Sequence, residues 1–396
     1  MFFITLLVFI LVIGVLVLVH ELGHFLAARA VGIRVEEFAI GMGPRVWGWR
    51  KGETEYNLRA FPIGGYVRMF GEGDYEVEAE GSYGSKKPSL RLIVLVAGVF
   101  MNMVLATLIF YAQGVRQDFR YISSVETIFE GEFNPWFGEK SEGKLIVSDI
   151  SESSPFQGKV ERLDTIMAIN DVDYDGREEF DTILTERIGQ ETTFELVNYS
   201  LTNSYTITVT PRADPPEGEK ALGIVPLPVS FIEYTGAGKV LSGVGQALNN
   251  IQIFGFVIGQ LVGEAFEEKT IAPVANTFGG AIGIFDFLQI TILAIGFWGV
   301  LELAALFSVN LAIFNILPIP ALDGGHVLFT LMEIVTRRKL PSRVYNIVTM
   351  IGFVLLFSFM ILITSLDLVK HTNVRNWFCN DNWQVGFICE LADYRR

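Results

Sequence analysis

Cysteine and histidine are scarce in this chain, with 2 Cys and 4 His among 396 residues. Two cysteines, Cys379 and Cys389, cannot build a disulfide framework or a four-thiolate metal site. Four histidines are too few for the histidine-rich di-iron centre of a membrane hydroxylase. Charge is scarce as well, at 19% of residues, and it runs acidic, with 44 Asp and Glu against 30 Lys and Arg. The excess is concentrated: residues 113–234 carry 23 acids and 10 bases. Such a domain argues against a nucleic-acid partner. Apolar residues are abundant instead. At 51% hydrophobic content and a mean hydropathy of +0.41, the chain is too apolar for a water-soluble protein.

The apolar residues gather into four runs long enough to cross a bilayer: Phe2–Ile33, Leu90–Ala112, Leu288–Leu317 and Ile347–Leu366. The first has no basic leader and no small-residue cleavage site before its histidines, so it reads as a span and not as a removed signal. Lys and Arg in 34–91 and 337–343 flank span ends, which places both stretches on the cytoplasmic side. Both termini and the acidic domain then lie outside the cytoplasm. Cys379 and Cys389 fall in the outer tail, where either a disulfide or a reduced pair is permitted. Residues Ile251–Gly263 are apolar but short and broken by Gln252, Gln260 and glycines. They read as an amphipathic helix on the outer surface or docked against the bundle.

His20-Glu21-Leu22-Gly23-His24 lies inside the first run. Histidines four apart share one helix face, so both imidazoles reach one metal ion, and the glutamate between them is placed to accept a proton from a water there. Three ionisable groups within a turn of a membrane helix are costly unless each has a partner. Two histidines leave a catalytic zinc one protein ligand short, and a carboxylate is the usual third. Asp323 is the candidate. It follows Asn315-Ile316-Leu317-Pro318-Ile319-Pro320, whose two prolines end the third span's helix. The competing reading makes Asp323 a helix N-cap or a turn residue. His326 is expected to orient Asp323 or to face solvent. Glu302, inside the third run, is expected to be hydrogen-bonded toward the bundle, with a path-lining role as the alternative.

Between the runs, Phe38–Pro44 reads as a glycine-rich turn and Glu55–Met69 as a β-hairpin or short sheet next to the metal helix. Residues 71–87 read as a polar loop. Residues 144–211 alternate short strands around one helix, 214–218 form a turn, and 221–227 form a further strand. Residues 121–143 show no clear pattern.

These pieces resemble the site-2 protease family of intramembrane zinc metallopeptidases, in its bacterial branch that includes the regulator-of-sigma-E protease. The matching motifs run in order over most of the chain: HELGH at 20–24, GMGP at 41–44, FPIGGYVRM at 61–69, AGVFMN at 97–102, GGAIGI at 279–284 and NILPIPALDGGH at 315–326. The resemblance implies one Zn2+ held by His20, His24 and Asp323, with Glu21 as catalytic acid/base. It also implies substrate handling by Asn315, Pro318 and Pro320. Asn102 matches the end of a GPxxN motif whose proline is here Val99. The insert resembles a circularly permuted PDZ domain through Ser154-Pro155, Leu163-Asp164-Thr165-Ile166 and Ile169-Asn170, with Leu163 where glycine is usual.

The expected fold is a polytopic α-helical membrane protein of four spans, with a membrane-associated β-hairpin or sheet and an extracytoplasmic PDZ-like α+β domain. Its layout is a first span (1–33), a cytoplasmic loop with strands (34–89), a second span (90–112) and an insert (113–234; PDZ-like core about 144–228). An amphipathic helical region (235–275) follows, then the third span with the Asp323 segment (276–326), a cytoplasmic loop (327–346), the fourth span (347–366) and a tail (367–396). The implied activity is zinc-dependent hydrolysis of single-pass membrane proteins, pre-trimmed by another protease, within the lipid bilayer of a bacterial inner membrane. Anti-sigma factors and signal-peptide remnants are substrates of this kind. The insert would act as a steric cap. The competing class is a PDZ-bearing membrane adaptor with a relic zinc site and no catalysis.

Overall fold

The computed structural model describes residues 1–72, 79–123, 133–141, 143–269, 281–338 and 341–371. Cys379, Cys389 and most of the tail lie outside the described residues. Among those described, four helical segments are long and apolar enough to cross a membrane: Phe2–Ala30, Pro88–Arg116, Phe297–Ile316 and Arg343–Ser365. The chain divides into two compact units.

The first unit comprises Met1–Ala106, Ile258–Ile290 and the chain from Leu303 onward. Helix α1 (Phe2–Ala30) is followed by two long strands, β1 (Val35–Lys51) and β2 (Thr54–Met69). Their register shows more than a hairpin. Residues 35–40 pair with 65–69 on one side and with 55–58 on the other, while 45–51 pair with 54–59. Each strand is therefore folded back, and the order across the sheet is 65–69, 35–40, 55–58, 45–51. The bends fall at Gly41-Met42-Gly43-Pro44 and at 60–64, where Gly41, Gly43 and Gly64 have φ of +85, +87 and +83. That conformation suits glycine; the turn expected over Phe38–Pro44 is confined to the bend at 41–44, because 38–40 is paired strand.

Glu37 ties the segments together. Its buried carboxylate accepts from Asn57 Nδ2 at 2.7 Å, pairs with Arg59 and lies 3.2 Å from Arg68 Nη2. Burial alone raises the Glu37 pKa, but the bonds from Arg59, Asn57 and Tyr66 outweigh it and hold the carboxyl below its ordinary range. The loop that follows is not wholly solvent-bound. Tyr83, 2% exposed, packs with Phe25, Val35, Val67, Met69 and Val94. Its ring supplies apolar area that the polar letters around it conceal in the sequence.

Helix α2 (Pro88–Arg116) overruns the expected 90–112 at both ends. The second unit comprises Thr107–Val257 and Thr291–Glu302. It contains strands β3 (Arg120–Ser123), β4 (Glu139–Lys140), β5 (Lys144–Ile150), β6 (Thr165–Ile169) and β7 (Val172–Asp173). Helix α3 (Gly176–Thr185), β8 (Thr192–Val197), β9 (Ser204–Val209) and β10 (Ile224–Glu233) complete its sheet domain. The main sheet runs β3-β10-β5-β6-β8-β9, with β4 against β10 and β7 against β6. Leu145, Val147, Ile166, Ile169, Phe180, Phe194 and Leu196 form its core. The sequence predicts β5, β6, β8, β9 and the α3 helix, while the strand expected at 221–227 begins later and runs further, as β10 over 224–233. The pairings of 120–123 and 139–140 with β10 are not legible, because such short strands carry no period. Leu163 takes φ +73, the left-handed geometry that glycine would adopt freely. Its N–H bonds Val147 O at 2.7 Å.

Residues 251–263 belong to one continuous helix, α4 (Gly238–Glu268), longer than expected. The expected third span, Leu288–Leu317, is two helices, α5 (Ala281–Ala294) and α6 (Phe297–Ile316). Gly296 breaks them with φ +72. The Ile295 and Gly296 amides both return to Thr291 O, at 2.9 and 3.0 Å. A left-handed glycine ending a helix is a common stop. Flanking apolar residues hid it from a hydropathy reading. After α6 the chain passes through 317–322 into α7 (Asp323–Thr336) and then α8 (Ser342–His371).

Candidate metal centre

α1 carries His20 and His24 on one face, about 15 and 9 Å short of its C-terminal end at 1.5 Å per residue. The linker 317–322 brings Asp323 to them. Pro318 and Pro320 end the α6 helix as expected, and Ala321 turns the chain at φ +82. Gly324 and Gly325 lie so close to the carbonyls of Leu317 and Ile319 that any side chain would collide there. Asp323 opens α7, where the free amides of the helix N-terminus favour a carboxylate.

Three ligand atoms converge. His20 Nε2 lies 2.9 Å from Asp323 Oδ2, His24 Nε2 lies 3.2 Å from the same oxygen, and the two Nε2 atoms are 3.2 Å apart. Ligands at about 2.0–2.1 Å around a tetrahedral zinc ion stand roughly 3.3–3.4 Å from each other. The spacing therefore fits zinc. Both histidines are buried, and Asp323 is half-buried. Among the described residues no other His, Cys, Asp or Glu group could hold a metal.

α2 supplies the support behind the imidazoles. His24 Nδ1 donates to Val94 O at 2.8 Å, which leaves its Nε2 lone pair for an ion. Asn102 lies 3.2 Å from His20 Nδ1 through its amide, while its Oδ1 is buried without a partner. Turning that amide over lets the oxygen accept Nδ1–H and frees His20 Nε2 for an ion, the arrangement a zinc ligand needs. Gly98, between these two contacts, faces both rings. A Cβ there would stand 2.5 Å from His24 Nε2 and 2.7 Å from His20 Cε1. Nothing within AGVFMN at 97–102 sets Gly98 apart by itself. Its spacing of four from both Val94 and Asn102 was the available signal.

Glu21 is half-buried and lies beside the 65–69 segment, with its Cγ 3.5 Å from where a Cβ on Gly65 would be. Asn315 Nδ2 lies 3.3 Å from His20 Nε2, at the ligand cluster. The prolines behave differently. Pro318 is exposed, and the Pro320 main chain packs against Gly352 of α8. His326, half-buried, makes no hydrogen bond to Asp323; it bonds the Tyr345 hydroxyl. Glu302 sits in the second turn of α6 and is hydrogen-bonded as expected, but its partner is Tyr199 Oη of the sheet domain, at 3.0 Å, and not a residue of the helix bundle.

One ion pair steadies α7 against α2. Arg91, 1% exposed, lies 2.6 Å from Glu333 through Nη2 and Oε2. Arg91→Met leaves Glu333 without that partner, and loss of one member of a buried pair costs about 3–5 kcal/mol. The expected outcome is a clear fall in melting temperature in detergent. Much of it should be recovered in the Arg91→Met/Glu333→Met double variant.

A two-histidine, one-carboxylate cluster with a neighbouring glutamate, set within a membrane-spanning helix, defines a membrane-embedded metallohydrolase. Comparison with known proteins identifies the family. The model of peptidase family M50 matches residues 8–359, and the chain belongs to that family, the site-2 proteases. A candidate zinc metalloprotease of Clostridium perfringens is 33% identical over 366 residues, covering 91% of this chain and 97% of the relative. Zinc metalloprotease RasP of Oceanobacillus iheyensis is 28% identical over 459 residues, covering 92% and 99%. The protein is therefore an intramembrane zinc metalloendopeptidase of bacterial type, and Zn2+ is its cofactor. The adaptor reading gives way.

Proposed function

We propose that His20, His24 and Asp323 hold the zinc ion and that Glu21 is the acid/base of peptide-bond hydrolysis in membrane-embedded helices. The convergence of the three ligand atoms within 4.8 Å carries this reading. Bound zinc supplies Lewis-acid polarisation of the scissile carbonyl and lowers the pKa of water toward neutrality. Glu21 then takes the proton of the attacking water and delivers it to the leaving amine. Asn315 steadies the chain being cut, and the irregular backbone around Pro318 and Pro320 lines the path for water.

A helical substrate hides its peptide bonds and must unwind. The 65–69 segment is the outermost of its sheet, and among the described residues no further strand pairs with it, although the Met69 N–H bonds Glu72 Oε2 at 3.1 Å. That edge lies beside Glu21 and can receive an extended chain by strand addition. Substrates on this reading are single-pass membrane proteins already shortened outside the cytoplasm by another protease, and the PDZ-like insert excludes bulky ectodomains. The Lys and Arg distribution supports a cytoplasmic side for 34–91 and an outer side for both termini.

Co-expression with a tagged single-span helix tests the assignment. Wild type cleaves it, and Asp323→Ala accumulates the uncut form with zinc content near zero. Normal cleavage by Asp323→Ala would remove the aspartate from the ligand set.

A further inference from the structure

The sheet domain has a groove between β10 and α3 of the kind in which other proteins add a peptide as an extra strand. Strand addition needs main-chain donors on the outer edge of the receiving strand, at every second residue. On β10 the inward-facing residues are identified by their bonds: Gly223 O receives Ser151 N–H at 2.9 Å, and Val225 O receives Ser148 Oγ at 2.8 Å. Leu227 follows in the same phase, opposite Ile146 of β5. Residues 224, 226 and 228 therefore face outward. Two of these three are proline, and a proline nitrogen carries no hydrogen. Only Ile224 retains a donor. The outward carbonyl of Pro226 is already engaged by Arg177 Nη1 of α3 at 3.3 Å.

Charge at the groove points the same way. A cavity of about 290 Å³ beside Ile224 is lined by Arg177, Glu219 and Lys220. Arg177 and Lys220 both lie near Asp181, at 3.5 and 3.7 Å. The Glu219 carboxylate is fixed by Ser151, Ser153 and Arg212 at 2.7–2.9 Å. A peptide's terminal carboxylate would meet cations already paired with an acid and a fixed negative charge.

We propose that the outer edge of β10 is closed to strand addition, so that this domain does not capture the C-terminal tails of its partners and acts on them only through its shape. The inference deepens the exclusion role proposed above, but it rests on the sheet domain alone and is independent of the metal centre.

The test uses the full-length protein in detergent with zinc bound. The probe is a fluorescein-labelled decapeptide ending in an apolar residue with a free carboxylate, and its C-terminal amide twin is the control. Fluorescence anisotropy should show no carboxylate-dependent binding to wild type. Pro226→Val/Pro228→Val restores two donors, each worth roughly a factor of five, and should bind the free acid about tenfold or more above wild type. Saturable binding of the free acid by wild type, abolished in Ile224→Pro, overturns the proposal. A folded double-valine variant as silent as wild type overturns the assignment to the prolines. Helix cleavage unchanged in that variant would show the metal centre intact, which separates failure here from failure of the catalytic reading.

Discussion

Glu21→Gln is expected to abolish cleavage of a tagged single-span helix while zinc stays bound at one ion per chain. The substitution keeps the size and the hydrogen-bonding shape of the side chain and removes only the capacity to accept and return a proton. General acid–base catalysis contributes about 10²–10⁴-fold, so residual turnover should fall to a percent or less of wild type. Glu21 is not among the three converging ligands, so metal content should hold. Measuring zinc by mass spectrometry beside cleavage by immunoblot separates the two roles. Equal cleavage by variant and wild type would remove Glu21 from catalysis and revive the adaptor reading.

Gly98→Ala should be nearly as damaging, for a different reason. The added methyl group would sit 2.5 Å from His24 Nε2 and 2.7–2.9 Å from His20 Cε1 and Nε2. On the proposed ligation the two Nε2 atoms are the ones that present lone pairs to the ion. The rings cannot retreat, because Val94 O holds one and Asn102 the other. The helices cannot simply part, because Gly23 of α1 is packed against the Ala97 carbonyl at the same crossing. Zinc content below about a tenth of wild type and loss of cleavage are expected, since displacement of supporting contacts alone costs 10–100-fold in metal affinity. Gly14→Ala on the same face of the problem is the control. Its Cβ would meet nothing closer than Pro62 O at 3.8 Å, so zinc and activity should match wild type. Full zinc loading of Gly98→Ala would contradict the packing argument.

The convergence of His20, His24 and Asp323 was legible because its pattern is encoded locally. HExxH sets two imidazoles on one helix face through helical spacing, and the paired prolines before Asp323 announce a break that lets its carboxylate approach them. Gly98 was not legible in the same way. A glycine inside an apolar helix has a meaning only once its neighbour across the crossing is known. The helix break at Gly296 was hidden because lipid-facing residues continue on both sides of it. The pattern over Glu55–Met69 left a hairpin and a short sheet open; the four-segment order was hidden because the back-folds at 41–44 and 60–64 double the pairing of β1 and β2 without lengthening either. Pro226 and Pro228 were visible as letters, but their effect depends on strand phase, which only the bonds of Gly223 and Val225 reveal. The Glu302 environment required the Tyr199 turn, more than a hundred residues away in sequence.

X-ray absorption at the zinc edge on the detergent-purified protein tests the whole account most directly. Ligation by His20, His24 and Asp323 predicts two imidazole nitrogens and oxygen donors at about 2.0–2.2 Å, and the loss of that spectrum in Asp323→Ala. A zinc spectrum without imidazole scattering, or one unchanged by the aspartate substitution, would contradict it.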